Sequence, residues 1–158
     1  MKIKKKIVLI GMMGYGKSTI GALLSKKMNF KFIDLDSEIE AIEKKTISQI
    51  FKLKGEKYFR KKEDETILSF LNEKVRKNVK NNSLSFWLNW KPSTIIKRIK
   101  KSSKRPLIQG LNNQEIEKMM LYRNKYYAKS NFKIDCDKHK KNEIVDRIVS
   151  TLKNNEIK

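Results

Sequence analysis

At 158 residues, with 38 Lys+Arg against 17 Asp+Glu, the chain carries a formal net charge of +21. That length suits one core better than two, and 39% apolar residues are too many for a wholly disordered polymer. The single cysteine, Cys136, excludes a disulfide framework or a cysteine-based zinc site, and no stretch approaches the roughly 20 apolar residues of a membrane span.

Taken in order, the chain opens basic and then briefly apolar. Ile7-Val8-Leu9-Ile10 is too short for a signal-peptide core and runs into a glycine loop instead of a cleavage site. Its continuous β-branched character predicts a strand buried on both faces. Gly11–Gly16 is a loop, and Ile20, Leu23, Leu24 and Met28 space out a helix over Lys17–Met28. Lys31–Leu35 reads as a second strand, after which Ser37 can cap a helix through Ile42. Thr46 and Gln49 stand in capping-box spacing at the head of a short helix that Gly55 interrupts. From Glu56 to about Lys80 there is neither Gly nor Pro, which predicts one long helix or two stacked pieces.

Leu84–Asn89 is a third strand, and Pro92 suits the first turn of a helix ending near Lys100. Residues 100–113 are polar, basic and loop-like, followed by a helix over about 114–127. Phe132–Cys136 forms a fourth strand and Asn142–Leu152 a last amphipathic helix. Strands alternating with helices imply an α/β fold, a parallel sheet covered by helices in three layers. The whole chain, 1–158, is expected to be one domain, with no repeat or linker dividing it.

The charge says less than its size suggests. Only six of the basic residues are arginine (60, 76, 98, 105, 123 and 147), and the lysines are spread along the whole chain with short clusters at 4–6, 100–104 and 138–141. A reader of nucleic acid concentrates its positive charge and favours arginine for bidentate contacts. The expectation is therefore a solvated lysine surface with no specific nucleic-acid partner and no membrane.

One motif carries chemistry. Gly11-Met12-Met13-Gly14-Tyr15-Gly16-Lys17-Ser18 fits G-x4-G-K-[ST], after a strand and before a helix. Glycines there let backbone N–H groups wrap phosphates, and the helix N-terminus adds a favourable dipole. Lys17 would reach the β/γ-phosphates, and Ser18 would ligate Mg²⁺. Nucleotide binding is thus expected on Gly14, Tyr15, Gly16, Lys17, Ser18 and Thr19. Asp34 and Asp36, alternating at the end of the second strand, point the same way on an extended segment. One can serve the metal or take an alcohol proton and the other grip a substrate hydroxyl, unless Asp36 merely caps the next helix. His139 reads as a solvated side chain, Cys136 as a small buried hydrophobe, and Trp87 and Trp90 as packing.

Further motifs add a resemblance. Gly11–Thr19, then Phe32-Ile33-Asp34-Leu35-Asp36, then I-S-Q-I-F-x3-G-E-x2-F-R-x2-E over 47–63, resemble the shikimate kinase family. The downstream pieces agree: Phe86-Trp87-Leu88-Asn89 with a following Lys97-Arg98, Lys104-Arg105-Pro106-Leu107-Ile108, and Arg123-Asn124-Lys125-Tyr126-Tyr127-Ala128. The resemblance covers most of 5–152. It implies a kinase that phosphorylates the 3-hydroxyl of shikimate with ATP and Mg²⁺, on the way to chorismate and the aromatic amino acids. The want of a signal peptide or membrane span adds the expectation of a cytoplasmic protein, taken to be a monomer. By position, Asp34 matches the metal-associated aspartate, acting directly or through water, and Asp36 the one that binds shikimate hydroxyls. Arg60 and Arg123 match the two arginines that clamp the shikimate carboxylate. Arg105 matches the lid arginine over the phosphates, and Arg98 the one beside adenine. Lys17, Asp34 and Arg105 are then the catalytic set.

The chain also departs from the family. The resemblance implies a further strand ending in a Gly-Gly-Gly loop, lying in the sheet between the strands of the glycine loop and of Asp34. Here no two glycines are adjacent; the six are Gly11, Gly14, Gly16, Gly21, Gly55 and Gly110. The gap falls near 68–71, which predicts four parallel strands where the family has five. Either other chain fills the gap, or the sheet closes and its neighbours move by about 4.8 Å, enough to impair a reaction that depends on positioning. A catalytically impaired nucleotide-binding relative, and a kinase for another small hydroxylated acid, are the rival readings.

Overall fold

The computed structural model describes residues 6–69, 83–100 and 111–154. These divide into two compact units. The first comprises 6–32, 83–100 and 111–154, and the second 33–69.

The first unit is built on a parallel sheet, β1 (Lys6–Ile10), β2 (Ser83–Asn89) and β3 (Phe132–Asp135), in that spatial order. Lys6 pairs with Ser83 through to Ile10 with Trp87, and Phe86 pairs with Phe132 through to Asn89 with Asp135. The cross-strand rings of Phe86 and Phe132 stack with centroids 4.9 Å apart, a contact that fixes register as well as burying area. β2 is the middle strand, and Leu84, Phe86, Trp87 and Leu88 are buried. The helices of this unit are α1 (Lys17–Met28), α4 (Pro92–Lys100), α5 (Asn113–Tyr127) and α6 (Lys141–Asn154). α6 buries Ile144, Val145, Ile148 and Leu152 along one stripe, each side chain contributing roughly 1.5–3 kcal/mol of burial. Lys27 of α1 and Asp146 of α6 form an ion pair across these two helices.

The second unit holds α2 (Leu35–Glu43) and α3 (Ile47–Ser69). Ile39, Ile50 and Phe59 are its buried core, with Leu35, Ile47, Phe51 and Tyr58 packed on them. Thr46 and Gln49 form the expected capping box: each accepts from the other's backbone N–H, at 3.2 and 2.9 Å. α3 breaks at Gly55, whose φ of 78° and ψ of 173° no helix contains. The predicted helix beyond it runs to Ser69, and its continuation over 70–80 lies outside the described residues. Glu43, at the end of α2, accepts from the Tyr58 hydroxyl at 2.7 Å and from Lys54 at 2.8 Å, tying α2 to α3. No helix among the described residues is long and apolar enough to cross a membrane.

Two expectations need correction. The sheet has three strands among the described residues, not four, because residues 30–34 join no ladder. Phe32 instead lies back on α1: a Cβ built on Gly21 would stand 2.3 Å from its ring. Nor is β1 covered on both faces. It is the edge of the described sheet and Val8 is 42% exposed.

Candidate nucleotide and acceptor sites

β1 delivers the chain into the glycine loop at the carboxyl end of the sheet. Gly11 (φ 147°), Gly14 (φ 88°) and Gly16 (φ 77°) all take backbone conformations that side chains resist. At Gly11 the packing is also tight: a Cβ would stand 2.5 Å from the Tyr15 ring and 3.2 Å from the Leu88 carbonyl oxygen. Met12 and Tyr15 are fully buried. They anchor the loop from beneath and leave its backbone as the outward surface. Gly16, left-handed, is the N-cap of α1 without any side-chain cap, and the first turn of α1 holds no acidic residue. An uncapped, uncompensated helix start is an anion site. Lys17 donates to the Gly11 carbonyl at 2.9 Å and to the Met12 carbonyl at 3.2 Å, so its ammonium group lies within the loop.

The loop opens onto a cleft of about 750 Å³, a volume suited to a nucleotide. Its floor includes Gly16, Thr19 and Ile20, and its far side Trp90, Arg98, Lys140 and Asn142. Trp90 donates its indole N–H to the Tyr15 carbonyl at 3.0 Å. The guanidinium carbon of Arg98 lies 3.7 Å from the centre of the Trp90 ring. The Asp137 carboxylate accepts from the Lys91 amide at 2.6 Å and from the Thr94 hydroxyl at 2.5 Å, bracing the start of α4 against the loop after β3. Glu143 accepts from the Lys140 amide at 3.0 Å and lies 3.3 Å from His139 Nδ1. The Lys140 bond first, and His139 after it, hold the Glu143 carboxyl below the usual glutamate range.

Placed against expectation, Gly14, Gly16, Lys17, Ser18 and Thr19 form the loop and helix start as read, and Arg98 lines the same cleft. The Tyr15 side chain is buried, so its backbone is what the loop presents. Trp90 is buried, as expected of a packing residue, and His139 is partly exposed; both also line the cleft. Sequence reading missed them along with Lys140 and Asn142. The available signal was positional, since the loop after β3 must emerge at the carboxyl end of the sheet, where α/β folds bind ligands. Cys136 is fully buried as expected, and burial, with Asp135 and Asp137 behind it, pushes its thiol up to about 12.

In the second unit the carboxylates sit otherwise than on a strand end. Asp34 is the N-cap of α2 and accepts from the Asp36 amide at 3.2 Å, while Asp36 lies in the first helical turn. The cap is therefore neither Ser37 nor Asp36. Arg60, on α3, is gripped by two carboxylates: Nη1 is 2.5 Å from Glu63, and Nη2 and Nε are 3.1 and 3.3 Å from one oxygen of Glu56. Burial works against its charge, but Glu63 and Glu56 outweigh that and raise its pKa. Arg123 lies on α5, half-buried. Arg105 and most of the 100–113 lid lie outside the described residues.

A glycine loop between a parallel strand and a helix, with its lysine in the loop and a nucleotide-sized cleft beyond, defines a P-loop nucleotide-binding protein. The family model described as shikimate kinase matches residues 13–153. The shikimate kinase of Persephonella marina is 36% identical over 165 positions, covering 94% of this chain and 99% of that protein. Among solved structures, the shikimate kinase of Aquifex aeolicus superposes with a TM-score of 0.79 at 31% identity, over 96% of this chain and 98% of that one. A shikimate-bound shikimate kinase from Acinetobacter baumannii reaches 0.87 at 24% identity, over 98% and 96%, a likeness of fold. The chain belongs to the shikimate kinase family, enzymes that transfer phosphate from ATP. The Persephonella alignment is longer than this chain's 158 residues. This chain therefore carries gaps against its relative, in keeping with a missing segment.

Proposed function

We propose that this chain transfers the γ-phosphoryl group of ATP to the 3-hydroxyl of shikimate. The observation that supports it most is the glycine loop with Lys17, opening on the Arg98-lined cleft in a chain of this family. The uncapped N–H groups at the start of α1 hold the triphosphate. Lys17 exchanges its loop carbonyls for phosphate oxygens and, with Arg105, offsets charge on the transferring group. Asp36, Arg60 and Arg123 hold shikimate, the arginines through their planar forks on its carboxylate. Asp34 accepts the proton of the attacking hydroxyl or orients the metal shell.

Mg²⁺ fits the donor set present. It would be held by the Ser18 hydroxyl and the phosphate oxygens of the nucleotide, with Asp34 as the carboxylate, directly or through water. Bound there, it neutralises charge on the β/γ-phosphates. We further propose a cytoplasmic monomer whose lysines are solvated surface, without a specific nucleic-acid partner or a membrane.

The absence of adjacent glycines and the edge position of β1 in the sheet of the described residues favour a second reading, a relative that binds nucleotide and turns over poorly. An ADP-release assay with shikimate, run beside ATP titration of wild type and Lys17→Ala, separates the two. Shikimate-dependent ADP release supports the kinase. ATP binding that Lys17→Ala abolishes, without such release, leaves the impaired relative.

A further inference from the structure

We propose that Trp90 is a positioning residue that sets both ends of the bound nucleotide, the phosphate loop through its indole N–H and the base through Arg98. This rests on the nucleotide-binding reading of the cleft. Trp90 follows the last residue of β2 and precedes Pro92 of α4, so it stands at the carboxyl end of the middle strand. It is only 6% exposed, and packing fixes the indole.

The phosphate end follows from peptide planarity. The indole N–H holds the carbonyl oxygen of Tyr15 at 3.0 Å. That carbonyl shares its peptide plane with the N–H of Gly16, and no peptide bond among the described residues is cis. In a trans peptide the C=O and the following N–H point in opposite directions. Holding the Tyr15 carbonyl towards the buried indole therefore turns the Gly16 N–H away from it, outward at the start of α1. Gly16, left-handed and without a Cβ, would otherwise allow that plane to rotate.

The base end follows from the stack. The Arg98 guanidinium carbon lies over the Trp90 ring, 3.7 Å from its centre, and the group makes no ion pair among the described residues. Trp90 is thus what holds the guanidinium plane in the cleft. One face of that plane is covered, and the other can take an aromatic base. The ligand class is a nucleotide with a planar base, and the protein reads the base and the first phosphate-binding amide from one side chain.

The test compares binding of ATP with binding of inorganic tripolyphosphate, which has no base. Wild type, Trp90→Phe, Trp90→Leu, Arg98→Ala and the Trp90→Leu/Arg98→Ala double variant are titrated by calorimetry, with thermal melts to confirm folding. Trp90→Phe keeps a ring under Arg98 but loses the N–H. It is expected to weaken both ligands by the same factor, leaving the ATP-to-tripolyphosphate ratio at the wild-type value. Trp90→Leu is expected to lower that ratio roughly tenfold, as Arg98→Ala does, with no further fall in the double variant. An unchanged ratio in Trp90→Leu, or additive losses in the double variant, would overturn the proposal. If Trp90→Leu does not fold, the Arg98→Ala ratio and the uniform loss in Trp90→Phe decide alone. A wild type that binds tripolyphosphate but gains nothing from the base overturns it too, and one that binds neither ligand overturns the nucleotide-binding reading itself.

Discussion

The ammonium group of Lys17 donates to the Gly11 carbonyl oxygen, 2.9 Å away and six residues back, so the loop closes on its own lysine. With the Met12 carbonyl as a second partner at 3.2 Å, the lysine occupies the concavity that phosphate oxygens fill. It is a preplaced charge that need not travel far. Removing it takes away a donor aimed at developing charge, and such losses cost about 10²–10³ in kcat. Lys17→Ala should show that fall in shikimate-dependent ADP release, with the melting temperature close to wild type.

Gly11 meets two constraints at once, a φ of 147° and a wall made by the Tyr15 ring and the Leu88 carbonyl. The ring cannot retreat, because Tyr15 is fully buried, and the carbonyl belongs to the middle strand. Gly11→Ala should therefore destabilise the fold by about 2–4 kcal/mol. Urea unfolding followed by circular dichroism measures it, and a variant within 0.5 kcal/mol of wild type, roughly the scatter of neutral substitutions, would contradict the packing.

The glycine loop was legible because its residues answer to local backbone geometry, which a short window of sequence contains. The same holds for the capping box at Thr46 and the break at Gly55. Residues 31–35 were misread for the opposite reason. Apolar residues at Phe32, Ile33 and Leu35 permit a strand, but a strand exists only beside a partner, and partnership is not a local property. Asp34 and Asp36 changed meaning with it, from parallel side chains to a cap and a first-turn residue. Trp90 and His139 could not be placed in the cleft without knowing that β1, β2 and β3 end side by side. The partners of Arg60 were within reach, since Glu56 and Glu63 stand four before and three after it on one helix.

Lys44 ends α2 in the left-handed region, at φ 50° and ψ 36°. A Cβ is strained there, and glycine is the usual residue at such a helix end. Glycine also loses more freedom on folding, which offsets part of the relief. Lys44→Gly should stabilise the protein by about 0.5–1 kcal/mol, read as a higher urea midpoint with an unchanged m-value.

Glu143 gives the acid limb of stability a defined sign. Its folded pKa is depressed, first by the Lys140 amide and then by His139. A depressed carboxyl contributes stability that is complete above the ordinary glutamate range and is lost as pH falls through the folded value. Glu143→Gln keeps an acceptor for Lys140 but does not titrate. The gap in urea midpoint between wild type and variant should therefore be constant at neutral pH and narrow as pH drops below the usual glutamate range. A gap that stays constant into acid would show that the carboxylate is not coupled to folding.

Arg60 presents the clearest competition between an internal and an external carboxylate. Glu56 places one oxygen 3.3 Å from Nε and 3.1 Å from Nη2, the side of the guanidinium that a substrate carboxylate would engage. Glu63 holds Nη1 from the other side and fixes the plane. If Arg60 clamps shikimate, substrate must displace Glu56, and the displaced carboxylate then stands near another negative charge. Glu56→Gln removes the charge and weakens the internal bond, so the KM for shikimate should fall about 3–10-fold with kcat little changed, since a charge-assisted bond exceeds a neutral one by roughly 1 kcal/mol. Glu63→Gln should act the other way, raising KM by loosening the plane. Initial-rate kinetics over a shikimate series decides it, and a KM that rises in Glu56→Gln would show that Glu56 supports the arginine without competing for it.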